Sequence, residues 1–421
     1  MRRRRAAGAL GVTAVSAALV LVGLAVGARE GGRAPGAPSP SPATAAHRHE
    51  ATVPGPAPPA PTPSPAPRVP EVASGGAAPM GAFLGSGPEA LGRMTEFQKW
   101  LDGPTLRVGH TYLPGDLWVN IEGRPEFLRA WTNWRRADPA RLLVLNVPLL
   151  ERNEANVPDD EVRALLRRGA DGEFDHHFRT LARRLVRLGA PDTVIVLGWE
   201  MNGVTYTGRC APDPTAWREY WRRVVGAMRS VPGQRLRFDF APSRGEDAIG
   251  WTACYPGDDV VDILGMDTYD QPPGEDFADY VDQPYGLRHQ VEFASAHGKP
   301  VSYPEWGLFR NGDNPDFVRG MLEWMAEHPP VYQTITDYCP HGVWECGRSP
   351  RSAEAFRDAL AAPPDDGPTP GPAASSPAPR PSAAPAAPTV PARPATPAAS
   401  GGSAARSAPA PRPASGTAPG S

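Results

Sequence analysis

The sequence predicts a single (β/α)8 barrel (TIM barrel), an α/β fold of eight parallel strands each followed by a helix, over residues 79–361. Along this stretch, short apolar runs typical of buried parallel strands alternate with amphipathic helical segments. The length suits the fold, because such a barrel takes about 250 residues. Regular strand and helix alternation in one domain of this size favours a closed barrel over an open doubly wound sheet.

Eight strands can be placed from the apolar runs. They are predicted at 80–84, 106–111, 142–147, 194–199, 236–241, 261–267, 301–305 and 331–337. Helices, several of which begin with a capping residue followed by Pro, are predicted at 88–101, 125–136, 174–188, 214–228, 287–297, 315–328 and 353–360. The fifth strand is the exception, because 245–257 indicates a loop with one helical turn instead of a helix.

The two ends of the chain differ from this domain in composition. Residues 31–70 contain 13 prolines and residues 361–421 contain 17, together with many Ala and Ser. By contrast, all 11 Trp and all four Cys lie between Trp100 and Cys346. Segments with so few large apolar side chains cannot offset their chain entropy by burial. We therefore expect a disordered Pro-rich linker over 29–78 and a disordered Pro/Ala/Ser-rich tail over 362–421.

Residues 1–28 resemble an export signal. Four consecutive arginines precede an uncharged stretch from Ala6 to Ala28, whose last residues are small enough for cleavage. The same stretch is long enough to span a bilayer as a helix, so a cleaved signal peptide and a retained signal anchor are both open. In either case the barrel is expected outside the cytoplasm, secreted or anchored to the membrane by residues 6–28.

The four cysteines of an exported protein suggest disulfides. Three pairings are possible, and we favour Cys210 with Cys254 and Cys339 with Cys346, since each pair would staple a loop on the side where strands end. A metal site is the competing interpretation. The scattered thiols lack Cys-x-x-Cys spacing, which argues against it.

Charge and missing motifs exclude several classes of function. The net charge of -3 argues against a nucleic-acid partner, which would require a basic surface. The chain contains no Gly-x-Ser-x-Gly elbow, Walker loop, dinucleotide-binding glycine fingerprint or His-Glu-x-x-His pair. We therefore expect no cofactor and no metal, and a monomeric protein.

Two glutamates end the fourth and seventh predicted strands, at the side of a barrel where active sites lie. Glu200 follows the apolar run in TVIVLGWEMN, and Glu305 stands in KPVSYPEWG. One such carboxylate could simply cap the next helix. Two of them, three βα units apart, face each other across one mouth. Hydrolysis of a glycosidic bond with retention needs a carboxyl pair about 5 to 5.5 Å apart, so this pair points to a glycosidase.

Aromatic and amide side chains accompany the two glutamates. The aromatic residues at or just beyond predicted strand ends, which could stack on sugar rings or belong to the core, are Trp199, Trp306, Trp251, Tyr255 and Tyr206. Asn202 could bond a sugar hydroxyl or be a turn residue before Gly203. These residues are candidates for substrate binding.

Three further candidates end the second and sixth strands. The hydroxyl of Tyr269 is expected to stabilise the ionised form of a nearby carboxylate by hydrogen bonding. Asp267 is expected at the mouth, where an ion pair with Arg244 is the alternative. His110 could meet substrate through a ring nitrogen, or be a histidine whose hydrogen bonds are satisfied within the fold.

The segments GWEMNG, DILGMDTYD and KPVSYPEWG together resemble glycoside hydrolase family 26, whose members are retaining (β/α)8 enzymes acting mainly on β-mannans. The opening GAFLG and the segment 97–118 are similar to it as well. The resemblance covers about 80–360. It implies that Glu200 is the proton donor and base, Glu305 the nucleophile and Tyr269 the tyrosine beside that nucleophile.

One position departs from the family. A histidine usually precedes the acid/base glutamate, whereas Trp199 stands there in this chain. Because that histidine contacts sugar near the cleavage point, the change concerns substrate identity more than catalysis. The resulting hypothesis is a retaining endo-β-glycosidase acting on a polysaccharide, foremost β-1,4-mannan, with β-1,3-xylan or β-glucan as alternatives. A non-catalytic carbohydrate-binding protein of the cell envelope on the same barrel is the alternative of another class.

Overall fold

The computed structural model describes residues 78–361, which form a closed barrel of eight parallel strands. The strands are β1 (Met80–Phe83), β2 (Val108–Tyr112), β3 (Leu142–Val147), β4 (Val194–Leu197), β5 (Arg237–Phe240), β6 (Ile263–Gly265 and Thr268–Asp270), β7 (Val301–Leu308) and β8 (Gln333–Thr336). Each strand pairs in parallel with its neighbours in the sequence, and β8 pairs with β1 to close the barrel. The predicted fold class is confirmed.

Helices surround the barrel. They are α1 (Ala90–Leu101), α2 (Trp118–Ile121), α3 (Pro125–Arg136), α4 (Asp159–Ala170), α5 (Asp175–Arg187), α6 (Pro214–Arg229), α7 (Phe277–Asp282), α8 (Leu287–Ala296), α9 (Pro315–Glu327) and α10 (Pro350–Leu360). In α6, for example, Trp217, Tyr220, Trp221 and Val224 are buried, a three- and four-residue spacing that places them on one face. Asp213 caps this helix by accepting a hydrogen bond from the backbone N–H of Ala216 at 3.1 Å.

Three helices were missed by the sequence prediction. The longest is α4, which begins after Pro158 with three acidic residues and ends with two arginines, as helix electrostatics favours. Its buried stripe is narrow, because only Val162, Leu166 and Gly169 are buried. Val162 and Leu166, four residues apart, still mark one face of a helix, so a helical signal was present. The other two, α2 and α7, have only 4 and 6 residues.

The connection from β5 to β6 contains one turn of 3-10 helix, Trp251–Cys254, as predicted, and no α-helix. Trp251 fills the place that a helix would take. It is fully buried, and its ring lies 5.1 Å from that of Phe293 on α8 and 6.4 Å from that of Phe240 on β5. Its indole N–H donates to the backbone oxygen of Tyr285 at 3.0 Å. This side chain therefore closes the gap in the helix layer.

The barrel interior is packed with side chains. Its buried apolar cluster consists of Val108, Val144, Val194, Val196, Trp199, Ala241, Ile263 and Tyr332. Asp239 on β5 adds a polar contact, because its carboxylate accepts hydrogen bonds from Ser302 and Tyr332, both at 2.6 Å. Valines near the amino ends of the strands fill one end of the barrel. The larger polar residues lie toward the carboxyl ends of the strands.

Both favoured disulfides are present. Cys210, after β4, is joined to Cys254 in the 3-10 turn after β5, and Cys339 is joined to Cys346 after β8. Both bonds therefore link segments that follow the carboxyl ends of strands. In the part of the chain described here, no helix is both long and apolar enough to cross a bilayer. The predicted signal segment, nearly all of the linker and the tail lie outside the described residues.

Removal of the first disulfide should cost more stability than removal of the second. The Cys210→Ser/Cys254→Ser variant should lose about 4 kcal/mol of unfolding free energy, since the bond joins residues 44 apart. The Cys339→Ser/Cys346→Ser variant, with a separation of 7, should lose about 2.5 kcal/mol. Urea unfolding without reductant measures both losses, and equal losses would contradict an origin in loop length.

Candidate active site

Glu200 follows β4 in a backbone conformation that few side chains adopt. Gly198 and Glu200 have φ angles of 61° and 49°, in the left-handed region. The backbone N–H of Glu200 donates to the oxygen of Ala241 at 2.8 Å, which ties the turn to the end of β5. The hydroxyl of Ser243 donates to Oε1 of Glu200 at 2.7 Å. The turn therefore holds this carboxyl at the mouth of the barrel.

Glu305 points to the mouth because β7 contains a bulge. Between Tyr303 and Trp306 the strand advances three residues while β8 advances two, from Gln333 to Ile335. The same irregularity is seen against β6. From Ser302 to Trp306 strand β7 advances four residues, while its partner β6 advances three, from Gly265 to Thr268. Pro304 lies inside the bulge, where its lack of a backbone N–H costs no hydrogen bond between strands. The extra residue reverses the alternation of side chains, so that Glu305 faces inward and Trp306 outward.

Two neutral side chains hold the carboxylate of Glu305. The amide nitrogen of Asn146 on β3 donates to Oε1 at 3.0 Å, and the hydroxyl of Tyr269 on β6 donates to Oε2 at 2.8 Å. The Tyr269 oxygen also lies 2.9 Å from the hydroxyl oxygen of Thr336 on β8. Strands from three sides of the barrel thus fix one carboxyl group. The expected contact between Tyr269 and a strand-end carboxylate is present.

The electrostatics of the two glutamates differ. Burial and the negative charge of Glu305 raise the pKa of Glu200 to about 7, against the opposing effect of the Ser243 hydrogen bond. Burial also raises the pKa of Glu305, but hydrogen bonds from Tyr112, Tyr269 and Asn146 oppose that shift. The first carboxyl is therefore the better proton donor near neutral pH, and the second is better stabilised as an anion.

Asp267 lies beside this pair at the end of the first part of β6. It is buried, with 2 % of its surface exposed, and its carboxyl oxygens have no hydrogen-bond partner within the described part of the chain. Burial and the charges of Glu305 and Glu200 hold its pKa well above the usual range. The alternative ion pair with Arg244 does not form. Arg244 instead stacks on Tyr280, 4.0 Å from the ring centre, and donates to the backbone oxygen of Tyr269.

Nε2 of His110 and the side-chain amide of Asn202 are engaged within the fold. Nε2 of His110 lies 2.8 Å from Oδ1 of Asn146, and burial lowers the pKa of the ring to about 4. Asn202 is buried; its amide donates to the oxygens of Ser243 and Gly245 and accepts from the N–H of Ser243. The expected sugar contact of Asn202 is therefore replaced by a structural role, because the loop after β5 uses the whole amide. His110 acts on Asn146 rather than facing solvent.

Two of the proposed sugar platforms are core residues. Trp306 is fully buried, its N–H donates to Oε1 of Gln333 at 2.7 Å, and its ring lies 6.0 Å from that of Phe356 on α10. The assignment of Trp306 to the mouth was wrong because the bulge turns it outward. The assignment of Trp251 to the mouth was also wrong, because its ring fills the place of the missing helix between β5 and β6. Tyr255 packs against Phe293 and bonds Asp258 through its hydroxyl, away from the pair of glutamates.

Five rings in mutual contact line the mouth, and we call them the aromatic rim: Tyr338, Phe83, Tyr112, Trp199 and Tyr206. Centroid separations along the rim are 6.0, 4.4, 5.4 and 4.9 Å. The rim runs from the end of β8 past β1 and β2 to the loop after β4. Trp199 and Tyr206 were expected near the mouth, and they lie there. The negative charges of Glu200 and Glu305, added to burial, raise the pKa of Tyr206 well above its usual range.

Sequence reasoning missed Asn146, Tyr112, Ser243 and Tyr338. Asn146 and Tyr112 had a usable signal, since each lies on the inward face of its strand, two residues beyond an inward Val or His. Ser243 and Tyr338 follow β5 and β8 in loops and carry no such pattern. Within residues 78–361, no group of three or more His, Cys, Asp or Glu side chains is arranged to hold a metal ion.

Truncation of Trp306 should act on stability. Because its ring is buried between β7 and α10, Trp306→Ala should lower the free energy of unfolding by about 3 to 5 kcal/mol. The comparison variant is Tyr206→Ala, a half-buried ring on the aromatic rim, which should cost about 1 kcal/mol. Denaturant unfolding followed by circular dichroism measures both. Wild-type stability of Trp306→Ala would show that the ring is not in the core.

Replacement of Glu200 by Gln should stabilise the fold in a defined pH window. Its folded-state pKa of about 7 exceeds the ordinary 4.5, so ionisation favours the unfolded chain between these values. The variant should match the wild type below pH 4.5 and gain on it as the pH rises to about 7, by about 1 to 3 kcal/mol. Urea unfolding at pH 4, 5.5 and 7.5 measures the difference. A constant difference across this range would contradict the raised pKa.

Part of this barrel matches a family of known proteins. Residues 197–304, from the end of β4 to Pro304 in β7, match the model of glycosyl hydrolase family 26. No curated protein sequence matches the chain. Among solved structures, a Bacillus subtilis mannanase shares 14 % identity over 68 % of this chain and 86 % of its own, with a TM-score of 0.51. A modular endo-β-1,4-mannanase of Cellulomonas fimi shares 21 % identity over 64 % of this chain and 66 % of its own, with a TM-score of 0.50.

At these identities the two structures show a shared fold, and the family model adds a match in sequence. The matched segment begins three residues before Glu200 and contains Asp267 and Tyr269, while Glu305 follows its last residue. The resemblance seen in the sequence is thereby confirmed over residues 197–304, where the chain is similar to glycosyl hydrolase family 26.

Proposed function

We propose that the barrel is a retaining endo-β-glycosidase that hydrolyses a β-polysaccharide, foremost β-1,4-mannan, by double displacement. The observation that carries the proposal is the pair of strand-end glutamates with different surroundings. The pKa of Glu200 is raised to about 7, whereas the carboxylate of Glu305 accepts hydrogen bonds from Asn146 and Tyr269. An acid and a nucleophile with separated pKa values are what this reaction requires.

In the first step, protonated Glu200 gives its proton to the glycosidic oxygen while an oxygen of Glu305 attacks the anomeric carbon. The bond to the leaving sugar breaks, and a glycosyl ester of Glu305 forms. Esterification removes the negative charge of Glu305, which had helped to raise the pKa of Glu200. Glu200 is therefore a stronger acid after this step and stays ionised.

In the second step, ionised Glu200 takes a proton from water while the water oxygen attacks the anomeric carbon. The ester bond breaks, the carboxylate of Glu305 returns, and the sugar leaves with its original anomeric configuration. Asn146 and Tyr269 receive the returning carboxylate through the hydrogen bonds described above.

The substrate assignment draws on the relatives and on the aromatic rim. The similar solved structures are mannanases by name. Trp199, which stands where the family usually has histidine, is packed between Tyr112 and Tyr206 and is only 5 % exposed. It offers an apolar wall beside Glu200 in place of an imidazole. For this reason β-1,3-xylan and mixed-linkage β-glucan remain alternatives to mannan.

The two disulfides fit an oxidising compartment, which supports export of the domain. Secretion, with anchoring through residues 6–28 as the alternative, stays a proposal, as does the monomeric state.

The experiment that tests the function is hydrolysis of purified β-mannan, β-1,3-xylan and mixed-linkage β-glucan by the full-length protein. We expect turnover of at least one of them, with mannan first. Glu305→Gln should lower kcat/KM by about 10⁴-fold or more, since the nucleophile is lost. Glu200→Gln should lower it by about 10² to 10⁴-fold. Proton NMR of the first product should show the β-anomer.

The matched control is Glu292→Gln, which removes an exposed carboxyl from α8, on the outside of the barrel, and should leave the rate within a few-fold of wild type. Equal activity of the wild type and Glu305→Gln would overturn the mechanism. Binding of a polysaccharide without release of product would favour the non-catalytic carbohydrate-binding protein instead.

A further inference from the structure

The hydrogen bonding of Glu305 comes from neutral side chains. Asn146 donates to Oε1 at 3.0 Å and Tyr269 to Oε2 at 2.8 Å. Both Asn146 and Glu305 are buried, with 0 % and 6 % of their surfaces exposed. Together with the Tyr112 hydroxyl, these two donors stabilise the carboxylate in a site shielded from water, where such a bond is worth more than at the surface.

The charges around Glu305 make this dependence stronger. The titratable groups that act on it or feel its charge are Glu200 after β4, Asp267 and Tyr269 on β6, Tyr112 on β2, Tyr206 in the loop after β4 and Tyr338 after β8. All of these are acidic groups. His110, the nearest histidine of the hydrogen-bonded set, is neutral because burial lowers its pKa to about 4. Hydrogen bonds, and not an ion pair, stabilise the ionised form of Glu305.

The carboxylate of Glu305 and the ring of His110 contact opposite ends of the Asn146 amide. A carboxylate only accepts, so the amide nitrogen faces Glu305 and Oδ1 faces Nε2 of His110 on β2, at 2.8 Å. An amide oxygen also only accepts, so Nε2 carries the proton and donates to it. If the amide were turned over, its oxygen would face the carboxylate, and His110 could meet the amide nitrogen only as the other tautomer.

We propose that Asn146 is a positioning residue for the nucleophile, and that His110 acts through Asn146 by donating a hydrogen bond to its amide oxygen. The three residues form a relay from β2 through β3 to β7 that aims Oε1 of Glu305 and keeps it ionised. The inference rests on the proposed function of Glu305. It replaces the sugar contact expected for His110 with a role behind the nucleophile.

The relay has a measurable consequence for ionisation. A donor to a carboxylate stabilises the anion and lowers its pKa, so removal of the donor must raise that pKa. In Asn146→Ala the acidic limb of kcat/KM, where Glu305 loses its charge, should move to higher pH by about one unit. At the pH optimum kcat/KM should fall by about 10- to 100-fold, the effect of losing a hydrogen bond to a charged group.

Three variants separate positioning from folding. Asn146→Asp keeps the shape of the side chain but places an oxygen opposite Glu305, and it should raise the acidic limb at least as far as Asn146→Ala. His110→Leu should shift the limb in the same direction, and adding it to Asn146→Ala should produce no further shift, because the two act in series. The matched control, Asn311→Ala, removes an amide donor that lies 2.9 Å from Oδ1 of Asp270. It should leave the acidic limb in place.

A titration that does not depend on turnover completes the test. The full-length protein, labelled with ¹³C at the side-chain carboxyl of Glu, is titrated by NMR, and the signal lost in Glu305→Gln identifies Glu305. The pKa read from that signal should rise in Asn146→Ala and in His110→Leu. An unchanged pKa and an unchanged acidic limb in Asn146→Ala would overturn the relay. Absence of hydrolysis by the wild type would instead overturn the proposed function, while the NMR titration would still decide the relay.

Discussion

The geometry of this site depends on one irregularity, the bulge in β7. A regular strand alternates its side chains, so with Ser302 directed inward toward Asp239, residue 305 would point at the helices. The extra residue at Pro304 reverses that order and brings Glu305 inside. The contacts with Asn146 and Tyr269 follow from it. The same reversal sends Trp306 into the core, so one backbone feature provides both the inward direction of Glu305 and a large buried ring.

A second constraint is electrostatic. Burial, together with the charge of Glu305, raises the pKa values of both Glu200 and Asp267. Such a group of carboxyls cannot be fully ionised at once without a large cost. The three carboxyl groups receive different numbers of hydrogen bonds from the fold. Glu305 receives bonds to both oxygens, Glu200 a bond from Ser243, and Asp267 none within the described residues. The order in which these groups hold protons is therefore built into the strand ends.

The fold and the position of the two strand-end glutamates could be predicted because both depend on local sequence. Apolar runs identify the strands, and a carboxylate at the end of a buried run stands out. The tyrosine beside Glu305 followed from the same rule. Asn146 and Ser243 were missed because their roles arise from strand pairing between segments distant in sequence. Trp306 and Trp251 were misplaced because side-chain direction depends on a bulge and on a missing helix, and neither can be read from an aromatic residue near a strand end.

The left-handed backbone at Glu200 affects which substitutions evolution would favour at this position. A side chain held at a φ of 49° carries strain of about 1 to 2 kcal/mol, and Gly or Asn would relieve much of it. The same replacements would remove a carboxyl that is costly to ionise inside the fold. Drift under selection for folding alone would therefore tend to erase this glutamate. Its presence at such a position is what selection for turnover would leave behind.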